Sequence, residues 1–397
     1  MRVLQQQTIT WFALGLLFVL ALPTLSVADT RKEKPKMKQA TGEDFVSLTG
    51  RPTNLTQALK AKWSGKKDIS LLGMSVSDDG RSALFRGTEG TLLIVADLKS
   101  GVETTVHQQR DGYSRAARET FSPDGLAVGF VRSRYPEGAS SFEYHIIVAD
   151  VRSGNIIRTI PLPGNVDYFS LSDGGKSVAY AGPDGEIYVS TGDKTFQVTK
   201  DQITKDGQRK FIYWQVTMAG SGGALLYLQS QGLDYSAGRS LVRVSLPDLV
   251  QTPIDVDVRE YGGMDPPSIT WDGSKIIYLR SRGTNDLVLA DLASGQRISL
   301  GYGRHSHISK SGRFCVFVND SGIVVYDTVR RTTVPVPNTA VFKPLWPRVT
   351  NDEKAVIFIA QSNATLHPRE IDTKTGKVLN YYVRDHFRVD FEPVRAK

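Results

Sequence analysis

Two phrases repeated along a 397-residue chain, with no long helical periodicity, predict an all-β fold: a seven-bladed β-propeller of four-stranded antiparallel blades. The first phrase is a small or polar residue, turn residues ending in glycine, then a strand closing on an aromatic. It reads SDDGRSALF at 77–85, SPDGLAVGF at 122–130, SDGGKSVAY at 172–180, TWDGSKIIY at 270–278 and SKSGRFCVF at 309–317. Weaker copies are AGSGGALLY at 219–227 and TNDEKAVIF at 350–358. The marker positions Gly80, Gly125, Gly175, Gly222, Gly273, Gly312 and Glu353 recur every 39 to 51 residues, a variation that surface-loop insertions produce. The second phrase is an apolar run ending in Asp, followed by a Ser/Thr-Gly turn. It occurs at 94–106, 147–160, 287–300 and 370–382.

Each unit reads as four strands, near 70–77, 82–87, 91–98 and 103–108 in the first and near 267–271, 275–280, 286–291 and 296–301 in the fifth. Asp-Gly between the first two strands supplies the positive φ of a tight hairpin. Asp97, Asp150, Asp291 and Asp372 read as turn formers whose carboxylates accept backbone N–H groups ahead of them, not as catalytic acids. The nearly uniform apolar runs HIIVAD, TLLIVAD and CVFV suit strands covered on both faces by neighbouring blades. A two-sheet sandwich would need far fewer strands. The expected organisation is blades over 68–383, a polar leader over 29–67 whose patch DFVSLTG (44–50) is a candidate closing strand, and a tail over 384–397.

Residues 1–28 differ from the rest. Arg2 precedes the apolar stretch ITWFALGLLFVLAL (9–22), then Pro23 and the small-residue site Ser26-Val27-Ala28. That is the pattern of a secretory signal peptide with cleavage before Asp29. Its apolar core falls short of the roughly 20 residues that span a bilayer, and no second stretch of spanning length follows. The single cysteine, Cys315, excludes an intramolecular disulfide and reads as a small buried hydrophobe. The formal charge of +8 is spread along the chain, without a basic helix or interleaved Lys and aromatics, so nucleic acid is not an expected partner.

The repeats S-x-D-G followed by an apolar strand, and the strand-ending Asp with its S-G or T-G turn, resemble the TolB-type, WD-repeat-like propellers of bacterial envelopes. The resemblance covers about four-fifths of the chain and implies a periplasmic or secreted binding scaffold. Two departures stand out. The sizeable α/β domain that precedes the TolB propeller has no counterpart, and Trp271-Asp272 falls in a turn, not at a strand end. Related propellers precede the catalytic domain of prolyl oligopeptidases, but no G-x-S-x-G nucleophile elbow is present.

In such a repeat the channel mouth is lined by residues just before each first strand and by the second-to-third-strand loops. The expected ligand-binding residues are Arg115, Arg118, Tyr168, Arg209, Tyr213, Trp214, Arg304, His305, Lys343, Trp346 and Arg348. Forked guanidinium donors beside flat aromatic faces suit an acidic peptide segment or an anionic saccharide. Long loops at 132–145, 230–240 and 360–369 add to that face. His305 and His307 stand at i and i+2, a spacing that puts both on one face of a strand and makes them candidate metal ligands, with His145 and His367 as candidate completions. The pair resembles, on this architecture, the clustered His of the oligogalacturonate lyases, although the Gln upstream in that family is unmatched. No C-x-x-C, H-E-x-x-H or phosphate-gripping loop occurs. The expectation is therefore a non-catalytic scaffold with no cofactor and a protein or peptide partner in the envelope. The alternative is a metal-dependent lyase or hydrolase acting on acidic carbohydrate.

Overall fold

The structure, a computed structural model, describes residues 53–55, 75–86, 90–109, 115–138, 140–200, 211–231, 239–259, 266–280, 286–360, 370–371, 378–379 and 385–390. Its strands form antiparallel meanders in chain order. After β1 (Thr53–Asn54), the first meander is β2 (Ser75–Val76), β3 (Ser82–Arg86), β4 (Leu92–Asp97) and β5 (Glu103–Gln108). The second is β6 (Arg115–Phe121), β7 (Ala127–Arg134), β8 (Glu143–Asp150) and β9 (Ile156–Leu162). The third is β10 (Phe169–Leu171), β11 (Ser177–Ala181), β12 (Ile187–Thr191) and β13 (Lys194–Gln197). The fourth, β14 (Phe211–Met218), β15 (Ala224–Gln231), β16 (Arg239–Ser245) and β17 (Val250–Arg259), runs into a fifth, β18 (Ser268–Ile269), β19 (Lys275–Arg280), β20 (Asp286–Asp291) and β21 (Arg297–Tyr302). The sixth is β22 (Arg304–Ile308), β23 (Phe314–Asn319), β24 (Gly322–Asp327) and β25 (Thr332–Pro335).

The first phrase has a specific chemistry. Ser77, Ser122, Ser172, Thr270, Ser309 and Thr350 are all buried, and each side-chain oxygen accepts from the N–H that opens the next strand, five residues on. In four copies the hydroxyl also donates to the Asp two positions ahead. The loop between the strands therefore holds four residues, not the two of a tight hairpin, and the marker glycine closes it at positive φ by donating to the Ser or Thr carbonyl. Glu353 adopts the same left-handed conformation, φ 54°, without being glycine. Replacing Ser122 with Ala leaves the buried N–H of Ala127 without its acceptor and is expected to lower stability by about 1–3 kcal/mol. A urea midpoint unchanged from wild type would show the hydroxyl to be dispensable.

In the second phrase Asp97, Asp150 and Asp291 accept from the backbone N–H groups two and three residues ahead, as read from the sequence. Those bonds hold the carboxyls below their ordinary range; for Asp291 they act together with Lys275, bringing it to about 2. Asp327 does the same in the sixth meander without the glycine that marks the phrase. Asp372 lies outside the described residues.

Apolar clusters fill the space between consecutive meanders. Phe130 and Ile147 pack on Leu84 and Leu93, and Phe358 and Val389 pack on Val316 and Val325. Cys315 is buried between the fifth and sixth, where burial pushes its thiol up. The last meander closes back on the first, with Ile357 packed among Val76, Phe85 and Ile94.

That last sheet departs from the sequence expectation. Its strands are β26 (Pro344–Val349), β27 (Ala355–Ala360) and, in place of the 370–382 phrase, Asp385–Asp390 from the segment read as a tail. The phrase itself pairs only internally, Glu370–Ile371 with Val378–Leu379. The outermost strand is β1, from the leader, with Thr53 opposite Arg388 and Asn54 opposite Phe387. The patch 44–50 lies outside the described residues.

The fourth and fifth meanders are also joined, because β17 pairs at its end with β19, Val258 opposite Arg280 and Arg259 opposite Leu279. Pro266 and Pro267 explain the arrangement. Proline has no N–H to give the ladder, so β18 is only two residues long and β17 fills the rest of the edge.

Candidate functional site

The innermost strands of the second to the last meanders, with Asp78 from the first, line one cavity of about 260 Å³. Its wall is read most simply by position relative to the turn Ser or Thr, or to Ala219, which takes that place in the fourth meander. Two residues before it stand Thr120, Ser170, Thr217, Ser268, His307 and Arg348; one residue after it stand Asp78, Pro123, Asp173, Gly220, Trp271, Lys310 and Asn351. A second cavity of about 210 Å³ lies between β2, β6, β26 and β27, lined by Ser75, Glu119, Trp346 and Arg348 among others.

The turn end of the channel is spanned by side chains and backbone. The Trp271 indole N–H donates to Asp173 at 2.7 Å, and the Lys310 ammonium stands 3.5 Å from the same carboxylate and 5.4 Å from the Trp271 ring centroid. Backbone bonds link neighbouring turns, Asp173 to Gly220, Ser221 to Trp271, Trp271 to Lys310 and Asn351 to Asp78. The Asn351 amide donates to the carbonyl of Pro123 at 2.6 Å. Arg348 pairs with Asp78 at 2.6 Å, joining the last meander to the first, and this neighbour pushes its guanidinium pKa up further. Half of the Arg348 side chain still meets solvent within the channel. His307 lies in the same wall, its Nδ1 buried with no partner among the described residues, and burial brings its pKa down to about 4.

Four residues before the turn, roughly 13 Å up the strand, the first strands bulge. Arg118, Gln215, His305 and Trp346 all have positive φ there, and each pairing register slips by one residue. A non-glycine residue so placed costs about 1–3 kcal/mol, and recurrence at one level of four strands marks a built feature. The His305 ring meets Trp346 edge-on at 5.8 Å. The bulge also breaks the strict alternation from which His305 and His307 were placed on one face, although both reach the cavity. Among the described residues no three His, Cys, Asp or Glu side chains converge as metal ligands would.

The other expected residues divide. Arg118 is exposed and pairs with Asp167 at 2.8 Å, Tyr168 is half-buried ahead of β10, and Arg304 is half-buried at the start of β22. Lys343 is exposed just before β26. Tyr213 is buried between the third and fourth meanders, edge-on to Tyr227 at 5.5 Å, so its ring packs the core and does not line the cavity. Arg115 lies opposite Ser133 and Trp214 opposite Leu228, their side chains outside the described set, as is all of Arg209 and His367. His145 lies in β8, opposite Arg132. Sequence reasoning missed the turn-end set Asp78, Asp173, Trp271, Lys310 and Asn351. Their signal was the variable letter of S-x-D-G, the one residue of the phrase that faces the channel.

No protein-family model matches the chain, and no curated protein matches it in sequence. In three dimensions it is similar to a dipeptidyl peptidase 4 of Porphyromonas gingivalis, at TM-score 0.50 and 13% identity, over 79% of this chain and 53% of that one. The chain thus spans about half of that peptidase. It is similar also to an oligogalacturonate lyase in complex with manganese, at TM-score 0.47 and 15% identity over 82% of this chain and 78% of that one. A TolB of Acinetobacter baumannii matches 65% of this chain and 63% of its own, at TM-score 0.38 and 17% identity. At such identities the likeness is one of fold. By its meanders, its repeats and its closure of the last sheet on the first, the chain has the β-propeller fold. Such folds serve both binding scaffolds and enzymes. No described helix is long and apolar enough to cross a membrane.

Proposed function

We propose that this chain is an exported, seven-bladed β-propeller that acts without catalysis, as a scaffold in the cell envelope, binding a protein or peptide partner across the open mouth of its channel. The observation that carries the reading is the asymmetry of the channel. Its turn end is spanned by Asp173, Trp271, Lys310 and Asn351, whereas Arg118, Tyr168, Arg304 and Trp346, the residues expected at the other end, lie four or five residues ahead of the turn on different blades. A rigid ring holding cations and aromatics at one rim pre-organises contacts that an acidic peptide segment can meet together.

Replacing Arg304 with Ala is expected to reduce partner retention about tenfold or more in a cross-linked pull-down from envelope extract, with the melting temperature unchanged. A variant that melts early but retains the partner normally would remove Arg304 from the rim. His305 and His307 in one cavity favour a second reading, a metal site for a lyase or hydrolase of acidic saccharide. Capture of saccharide that EDTA abolishes would select it.

A further inference from the structure

Arg132 and His145 are cross-strand partners on the hairpin of β7 and β8. Residues two apart on a strand share a face, so Arg132 stands next to Phe130 and His145 next to Ile147. Those two apolar residues are buried against Leu84, Leu93 and Val95 of the first meander. His107, on β5, brings its ring to 5.5 Å from Phe130 and so borders the same seam. The Nε of Arg132 and the Nδ1 of His145 are both buried and have no hydrogen-bond partner among the described residues.

The other arginines packed on the sheets reach an acceptor through at least one guanidinium nitrogen, Arg313 included, although its Nε is also buried without a partner among the described residues. Arg158 donates to the carbonyls of Lys176 and Ser190, Arg280 and Arg297 reach Asp255, Arg313 reaches Asp327, and Arg348 reaches Asp78. A guanidinium nitrogen withdrawn from water is ordinarily matched by an acceptor, because desolvation without one is costly. The charges around His145 are Arg132, Arg134 and Glu143; burial first, then Arg132, hold its pKa below the usual imidazole range, against the opposing pull of Glu143. Arg134 and Glu143, the next row up, are exposed, so the seam opens to solvent beside the long 132–145 hairpin.

We propose that the seam between the first and second meanders, at Arg132 and His145, is a binding site for one carboxylate or phosphate group. The guanidinium supplies a forked pair of donors and the imidazole a further one, which matches the oxygens of either anion. None of these residues lines the central channel, so the site is independent of the partner proposed for the mouth. An anion seated here supplies the missing acceptor and raises the pKa of His145, the direction that stabilises its charged form.

The test uses the full folded chain, with inorganic phosphate and acetate as probes, each compared with sodium chloride at equal ionic strength. The reading is the His145 ring resonance through a pH titration, assigned by its loss in His145→Gln. Either probe is expected to shift that titration upward and saturably, and Arg132→Gln to weaken the effect about tenfold or more. A shift with phosphate alone identifies a phosphate site, and one with acetate a carboxylate site. A shift that sodium chloride reproduces, or no shift with either probe, overturns the proposal. So does equal binding by folded Arg132→Gln. If that variant does not fold, Arg132→Lys keeps the charge but loses the fork, and wild-type affinity in it overturns the proposal as well.

Discussion

Replacing Asp255 with Ala is expected to lower the unfolding free energy by about 3–5 kcal/mol, the range for removing one partner of a buried ionic network. The side chain of Asp255 is only 6% exposed. It accepts from the Tyr278 hydroxyl at 2.6 Å and from the Arg280 Nε at 2.9 Å, and the Arg297 guanidinium stands 3.7 Å away. Burial alone would raise its carboxyl pKa; the Tyr278 and Arg280 bonds outweigh that and hold it low. The cost of the substitution comes from the two guanidinium groups and the buried hydroxyl left behind. The network also fastens the seam where the end of β17, still paired with β16, pairs with β19 as well. Asp167→Ala is the natural comparison, because its pair with Arg118 is exposed and is worth at most about 1 kcal/mol. Urea unfolding of both variants decides the matter; equal midpoints would mean that the seam does not depend on Asp255.

Stability is expected to fall by about 3 kcal/mol between pH 6.5 and pH 4 on account of His307 alone. Its pKa is about 4 in the folded chain and about 6.5 when unfolded. Above pH 6.5 both states are neutral and the contribution is fully present. As the pH falls, the unfolded chain takes up a proton that the half-buried imidazole refuses, so stability is lost until the folded pKa is reached. Below pH 4 both states are protonated and the loss levels off. Loss of turn carboxylates such as Asp291 occupies a lower window, from about 4 down toward 2. Urea midpoints across pH should therefore show a step above pH 4 that His307→Gln removes. The same step in the variant would assign it to another group.

Much of the architecture was legible because it repeats. The S-x-D-G phrase marks a buried hydroxyl with one fixed set of bonds, and Asp97, Asp150 and Asp291 mark a turn that their carboxylates build. Where local signals and the ring compete, the ring wins. The phrase at 370–382 has the right letters, yet Asp385–Asp390 takes the edge of β27 and β1 covers it, a pairing between chain ends that no local pattern encodes. The site was less legible for a related reason. Channel-facing residues are the variable letters of the repeat, and the bulges at Arg118, Gln215, His305 and Trp346 shift strand faces by one residue. Tyr213 shows the consequence, an aromatic read as a rim residue that packs the core.

The proposed partner meets the mouth and not the turn end. This is tested by one cross-linked pull-down comparing wild type, Arg304→Ala with Trp346→Ala, and Lys310→Ala, each first shown to be folded. The expected result is a partner lost with the mouth pair and kept with Lys310→Ala. Retention by the mouth pair, or loss with Lys310→Ala alone, would contradict it.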